Sequence, residues 1–111
     1  MIHLTKERLI KMKKIYLFCA AGMSTSILAK KMQKAAEEAG CDYYVKEFAI
    51  AEINQKGQEA DIILLGPQVR YELNKIKEQM PNKPVEAIDM MAYGMMDGKK
   101  VIDHVIEVLG K

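Results

Sequence analysis

Apolar positions along this chain follow two alternating patterns. Ile15-Tyr16-Leu17-Phe18 and Ile62-Ile63-Leu64-Leu65 are unbroken runs, as expected of strands covered on both faces. Elsewhere apolar residues return every three or four positions, the period of a helix with one buried face. The pattern predicts a strand over Lys14 to Phe18 and a helix over Ser24 to Ala39. In that helix Leu28, Met32, Ala35, Ala36 and Ala39 share a face, while Lys30, Lys31, Lys34, Glu37 and Glu38 fall elsewhere. Gly40 suits its C-terminal cap. A second, shorter strand is predicted over Asp42 to Phe48, then a short helix over Glu52 to Glu59, weakened by Gly57.

After the third strand, Gly66-Pro67 breaks the pattern, and Pro67 fits the first turn of a helix. That helix is predicted to continue to about Gln79, with Val69, Leu73, Ile76 and Met80 on one stripe. Met80-Pro81 ends it. Pro84 to Ile88 reads as a last strand, and proline at its start suits a sheet edge. The stretch from Asp89 to Met96 reads as a loop. Asp97 is the expected cap of a final helix from Gly98 to Leu109, with Val101, Ile102, Val105, Ile106 and Leu109 buried.

Strands alternating with helices imply an α/β fold: a parallel sheet with right-handed crossovers. Four strands suggest the order 2-1-3-4, with helices on both faces. Ligands of such sheets lie beyond the carboxyl ends of the strands, where the winding reverses. Here the reversal falls between the first strand, ended by Cys19, and the third, followed by Gly66-Pro67-Gln68.

The chain has 111 residues, enough for one core. A formal charge of +2 gives no basis for binding nucleic acid or an acidic membrane. No segment is apolar for long enough to span a bilayer, and no secretory leader is expected. Two cysteines do not make a disulfide framework, so the expected compartment is the cytoplasm. Residues 1–12 read as a charged N-terminal extension, flexible or helical, to a domain over residues 13–111. Lys6-Glu7-Arg8 can also be encoded by a purine-rich ribosome-binding stretch, which makes Met12 the suspected natural start.

Cys19 carries the chemistry. A lone cysteine is most often a small buried hydrophobe, the reading kept for Cys41. Cys19 differs in its C-terminal neighbours: Ala20, Ala21, Gly22, Met23, Ser24, Thr25 and Ser26 lead into the long helix. Gly22 lets the backbone bend, and the hydroxyls can cap the helix or reach phosphate oxygens. Loop amides and the first free N–H groups of a helix converge on an anion, and a positive helix end favours thiolate over thiol. Such a site can carry a phosphoryl group on sulfur, provided that solvent reaches the sulfur and the amides face it.

Cys19 to Ser26 and Leu64-Leu65-Gly66-Pro67-Gln68-Val69, with Ala92-Tyr93-Gly94 and Asp97-Gly98, resemble the IIB components (type 3) of the lactose/cellobiose branch of the bacterial sugar phosphotransferase system (PTS). The likeness runs from Lys13 to the C-terminus. It implies that Cys19 accepts a phosphoryl group from a phosphohistidine on the IIA protein. The group then passes to a sugar entering through the membrane permease IIC. It also implies phosphate binding by the amides of Ala20 to Ser26 and no cofactor. The transient docking of such a carrier fits a monomer.

The strand–loop–helix unit also resembles low-molecular-weight tyrosine phosphatases and some arsenate reductases, which carry Cys-x5-Arg-Ser/Thr. Here Thr25 occupies the arginine position. Without a guanidinium fork the loop binds phosphate but lacks the charge that stabilises hydrolysis. A phosphatase-like hydrolase and an oxidant-sensing module are the alternatives. Asp89, the one acid placed to imitate a phosphatase general acid, reads better as a turn residue.

Other residues carry two readings each. Gln68 can donate to a phosphate oxygen or bond a backbone group at the helix start. Arg70 can reach the phosphate or an acidic partner, or lie on a solvated face. Met90, Met91, Met95 and Met96 around Tyr93 either fill the core or form an adaptable docking surface, with Met95, Met96, Tyr93 and Arg70 as docking candidates. His3 and His104 have no companions at metal-ligand spacing, so no metal site is predicted.

Overall fold

The computed structural model describes residues 11–20 and 23–111, and of Met23 and Ser24 the backbone only. Residues 1–10, and the roles expected of Ala21 and Gly22, lie outside the described residues. The strands are β1 (Lys13–Cys19), β2 (Tyr43–Ala49), β3 (Ile62–Leu65) and β4 (Val85–Ala87). They form one sheet in the order β2-β1-β3-β4, every pair parallel, as expected. The helices are α1 (Met23–Glu38), α2 (Ile53–Glu59), α3 (Leu73–Gln79), α4 (Met90–Gly94) and α5 (Gly98–Leu109). No helix of the described residues is long and apolar enough to cross a membrane.

The two apolar runs split between two cores. Ile15, Leu17, Ile62 and Leu64 face α1 and α5, packing with Leu28, Met32, Val101, Ile102 and Val105. Tyr16, Phe18, Ile63 and Leu65 face the other side, with Ile53, Ile76 and Met80. Each full burial of such a side chain contributes about 1.5–3 kcal/mol, so β1 and β3 are held from both sides.

Three local expectations need correction. The segment after β3 is not one α-helix: Pro67–Glu72 is a 3-10 helix, and Val69 inside it has φ −123°, ψ 17°, before α3 begins. The departure puts the Val69 side chain in the core, fully buried. The short helix after β2 likewise opens with a 3-10 turn, Ile50–Glu52. The expected loop from Asp89 contains α4, whose cap is the Asp89 carboxylate accepting from Ala92 N at 2.9 Å.

Two glycines set close approaches. A Cβ on Gly98 would lie 2.5 Å from the Lys31 carbonyl carbon and 2.6 Å from Met32 N. The start of α5 thus packs directly on the α1 backbone and fixes the pose of the helix that follows Cys19. Gly57 is covered by Met80, whose flexible Cε would be 2.7 Å from an added Cβ.

Polar side chains close the remaining ends. The Gln33 amide donates to Tyr43 O at 3.0 Å and accepts from Val45 N at 2.8 Å, engaging main-chain groups of the edge strand β2. The Lys13 ammonium donates to Leu109 O at 2.9 Å, and the Tyr43 hydroxyl donates to Gly110 O, so both hold the C-terminal end of α5. The Lys83 ammonium donates to Gly57 O, Gln58 O and Ala60 O, closing the end of α2.

Gly98→Ala is expected to lower stability by about 1–3 kcal/mol, the usual cost of overpacking, because main chain and not a flexible side chain must yield. Urea unfolding of the two proteins measures it. A second prediction concerns alkaline pH. Burial pushes the Tyr16 hydroxyl up to about 12, with Glu59 adding to the rise, and pushes Tyr43 up to about 12, with the Cys41 sulfur adding. An unfolded tyrosine ionises near pH 10. Between pH 10 and 12 the folded chain therefore holds protons that the unfolded chain has lost. Stability from these groups is complete below pH 10 and is lost as pH rises through 12. Burial lowers Lys83 from 10.5, which acts in the opposite sense. Lys83 acts below 10.5 and the tyrosines above it, so from there to pH 12 the urea midpoint is expected to fall, and less steeply in Tyr16→Phe.

Candidate active site

Cys19 is the last residue of β1, in register with Ala49 of β2. The neighbouring strand ends are tied to it. Gly66 N donates to Phe18 O at 2.8 Å, and Ile88 N donates to Leu65 O at 2.9 Å. A Cβ on Gly66 would lie 3.2 Å from Cys19 Cβ and 2.9 Å from Gln68 Oε1. Glycine after β3 therefore lets the Pro67-Gln68 turn close against the cysteine. The winding reversal brings together the two segments that the strand pattern marked out.

Helix α1 begins at Met23, four residues beyond Cys19, and runs for 16 residues. Its first turn presents main-chain N–H groups at a positive helix end close to the sulfur in sequence. Of the expected phosphate-binding residues, Ala20 is exposed and Ser26 half-buried.

The sulfur itself departs from expectation. Both cysteines are free, and Cys19 is 0% exposed, whereas carrier chemistry calls for a reachable thiol. It lies at the end of a strand whose penultimate residue, Phe18, is also fully buried. In the conformation described, a donor cannot approach it.

Thr25, expected to offer its hydroxyl to phosphate, is instead buried and hydrogen-bonded to the Tyr93 hydroxyl at 3.0 Å. Gln68 donates its amide to the same Tyr93 oxygen at 3.3 Å. Its side chain bonds a tyrosine hydroxyl and not a backbone group at the helix start. Tyr93 is 8% exposed and offers little surface to a partner. Met96 is half-buried against the core at φ 51°. Met95 is 72% exposed, and Met90 and Met91 are exposed as well. Arg70 is exposed and its guanidinium donates to the Met90 sulfur at 3.2 Å, joining the turn after β3 to α4. Tyr71, next to it, is also exposed.

The Asp89 carboxylate is occupied by capping α4 and lies 3.8 Å from the Lys100 ammonium. It is the structural residue that the sequence suggested. A cleft of about 380 Å³ opens next to it, lined by residues such as Glu86, Ile88, Lys100 and His104 but not by Cys19. The Tyr93 hydroxyl is the feature that pattern reading missed. One signal was present: Asp89 three residues before Ala92 is an N-cap spacing, which marks the short helix that carries Tyr93.

Comparison with known proteins bears on this geometry. The family described as "PTS system, Lactose/Cellobiose specific IIB subunit" matches residues 14–104. The oligo-beta-mannoside-specific EIIB component of Bacillus subtilis is 41% identical over 101 residues, covering 88% of this chain and 97% of that protein. The galactose-specific and cellobiose-specific EIIB components of Lactococcus lactis are 43% and 42% identical, each over 81% of this chain and 90% of its own length. Among solved structures, the cellobiose-specific IIB component of Borrelia burgdorferi superposes with a TM-score of 0.70 at 31% identity, over 86% of this chain and 90% of that one. The lactose-specific IIB domain of Streptococcus pneumoniae, at 23% identity, shares the fold with a TM-score of 0.75, over 86% of this chain and 96% of that one. A cysteine-ended central strand, a glycine-proline turn beside it and these relatives agree: the chain belongs to the lactose/cellobiose-specific IIB family of the sugar phosphotransferase system.

Proposed function

We propose that this protein is a cytoplasmic phosphocarrier whose Cys19 accepts a phosphoryl group from a phosphohistidine of a IIA protein and passes it to a sugar entering through a IIC permease. In the first step the Cys19 sulfur attacks phosphorus. A P–S bond forms, the P–N bond to the donor imidazole breaks, and the imidazole takes up a proton. In the second, a sugar hydroxyl attacks, a P–O bond forms, the P–S bond breaks, and the hydroxyl proton leaves to solvent. Phosphoryl transfer needs positioning and charge stabilisation above all. Main-chain donors at the start of α1 are the groups that would supply both.

The observation that carries the reading is a single thiol at the β1–α1 junction with Gly66 packed against it in a chain of the IIB family. Complete burial of that thiol adds a requirement: the sulfur must be uncovered when a donor docks. The exposed side chains of Met90, Met91 and Met95 near Arg70 suit that docking, since methionine repacks against different partners. The relatives are named for three different sugars at nearly equal identity, which fits selection of the sugar, a β-linked disaccharide or related glycoside, by the permease.

A hydrolase reading is weakened by Thr25, which occupies the position of the phosphatase arginine and whose hydroxyl is engaged by Tyr93. An oxidant-sensing reading needs a sulfur reachable in the free protein, with no docked partner to uncover it, and there Cys19 is fully buried.

Cys19→Ser is expected to reduce phosphoryl labelling by the phosphorylated IIA donor to background, while Cys41→Ser retains it. Labelling that survives in Cys19→Ser removes Cys19 from the mechanism. The isolated protein is also expected to turn over an aryl phosphate no faster than buffer, and rapid hydrolysis would favour the phosphatase-like alternative.

A further inference from the structure

Thr25 is the one buried polar side chain of its kind among the described residues. Its partner, Tyr93, is a core residue whose hydroxyl also receives the Gln68 amide. Three separate elements therefore meet at one oxygen: the first turns of α1, the turn after β3, and α4. Two of the three adjoin Cys19 in the chain or in space. Thr25 lies six residues after it, and Gln68 is packed over Gly66, which touches it.

A valine and a phenylalanine would fill the same space with no polar group to satisfy. A buried hydrogen bond contributes only about 1 kcal/mol net to folding, so stability is a weak reason to keep this pair. Direction is a stronger one, because a hydroxyl pair fixes the rotation of the α1 start against α4, which apolar packing tolerates loosely. The tie also reaches the surface. On α4, Tyr93 points inward, while Met90 and Met91 are exposed on the same five residues.

We propose that Tyr93 is a positioning residue for phosphoryl transfer: its hydroxyl, bonded to Thr25 and Gln68, holds the start of α1 and the Pro67-Gln68 turn in place around Cys19. It touches neither sulfur nor phosphate and acts through the groups it holds. The inference rests on the carrier reading above, and one of its two readouts does not depend on that reading.

The test compares native protein with Tyr93→Phe, Thr25→Val and Thr25→Ser. Alkylation of Cys19 by iodoacetamide, followed on its own peptide to exclude Cys41, is expected to speed up about tenfold in Thr25→Val, which loses one hydrogen bond of roughly 1.4 kcal/mol, and by at least as much in Tyr93→Phe, which loses both. Steady-state phosphoryl acceptance is expected to show kcat reduced about tenfold by the same loss, with KM for the phosphorylated donor unchanged. Thr25→Ser, which keeps the hydroxyl, is expected to match the native protein in both. A change in melting temperature alone, with alkylation and kcat at native values, would overturn the proposal, as would failure of Thr25→Ser to restore them. If Tyr93→Phe does not fold, Thr25→Val makes the same test. If the native protein accepts no phosphoryl group, the carrier reading fails, and the alkylation arm alone decides on the tie.

Discussion

A thiol at the end of a strand buried on both faces governs the architecture around it. Phe18 and Leu17 point to opposite cores and are fully buried, so the main chain that delivers Cys19 has little freedom. That rigidity places the sulfur accurately but also leaves it covered. The same packing that fixes the position of the sulfur keeps water from it. Under the proposed carrier role both effects serve, because a phosphoryl group on sulfur would have to survive until an acceptor arrives.

The helix after the cysteine is held from the side and from its beginning. Along its length α1 lies against α5 at a contact so close that only glycine fits at position 98. At its start, Thr25 is bonded to Tyr93. The two restraints leave the position that a phosphatase gives to arginine with a hydroxyl already in use. Without a guanidinium at that position, the loop lacks the fork that clamps phosphate and stabilises charge during hydrolysis. The exposed methionines Met90, Met91 and Met95 lie on and just after α4, with Arg70 against Met90.

Much of this was legible in the sequence, for identifiable reasons. Ile15 to Phe18 and Ile62 to Leu65 are apolar without interruption because both faces of β1 and β3 are covered, and together with the alternation of strands and helices they lead to a parallel sheet whose winding reverses between β1 and β3. Asp97 before Gly98 marked the start of α5, where its carboxylate accepts from Lys100 N. Other features depend on contacts distant in sequence. Val69 is buried, as its place on the apolar stripe implied, but within a 3-10 turn of non-helical backbone that periodicity does not reveal. Helix α4 has five residues, too few for periodicity to register, although its Asp89 cap was readable. Burial of Cys19 and the inward turn of Tyr93 are set by packing between elements far apart in the chain, and a helix-start pattern cannot distinguish a hydroxyl offered to phosphate from one bonded to a tyrosine 68 residues away.

The most direct test of the carrier role is to locate the phosphoryl group on the native protein. After incubation with the phosphorylated histidine donor, fragmentation mass spectrometry is expected to find one phosphoryl group, on the peptide that contains Cys19, and iodine treatment is expected to release it as a thiophosphate. A phosphoryl group on His104 or on another peptide, or none at all, would contradict the assignment of Cys19 as the carrier.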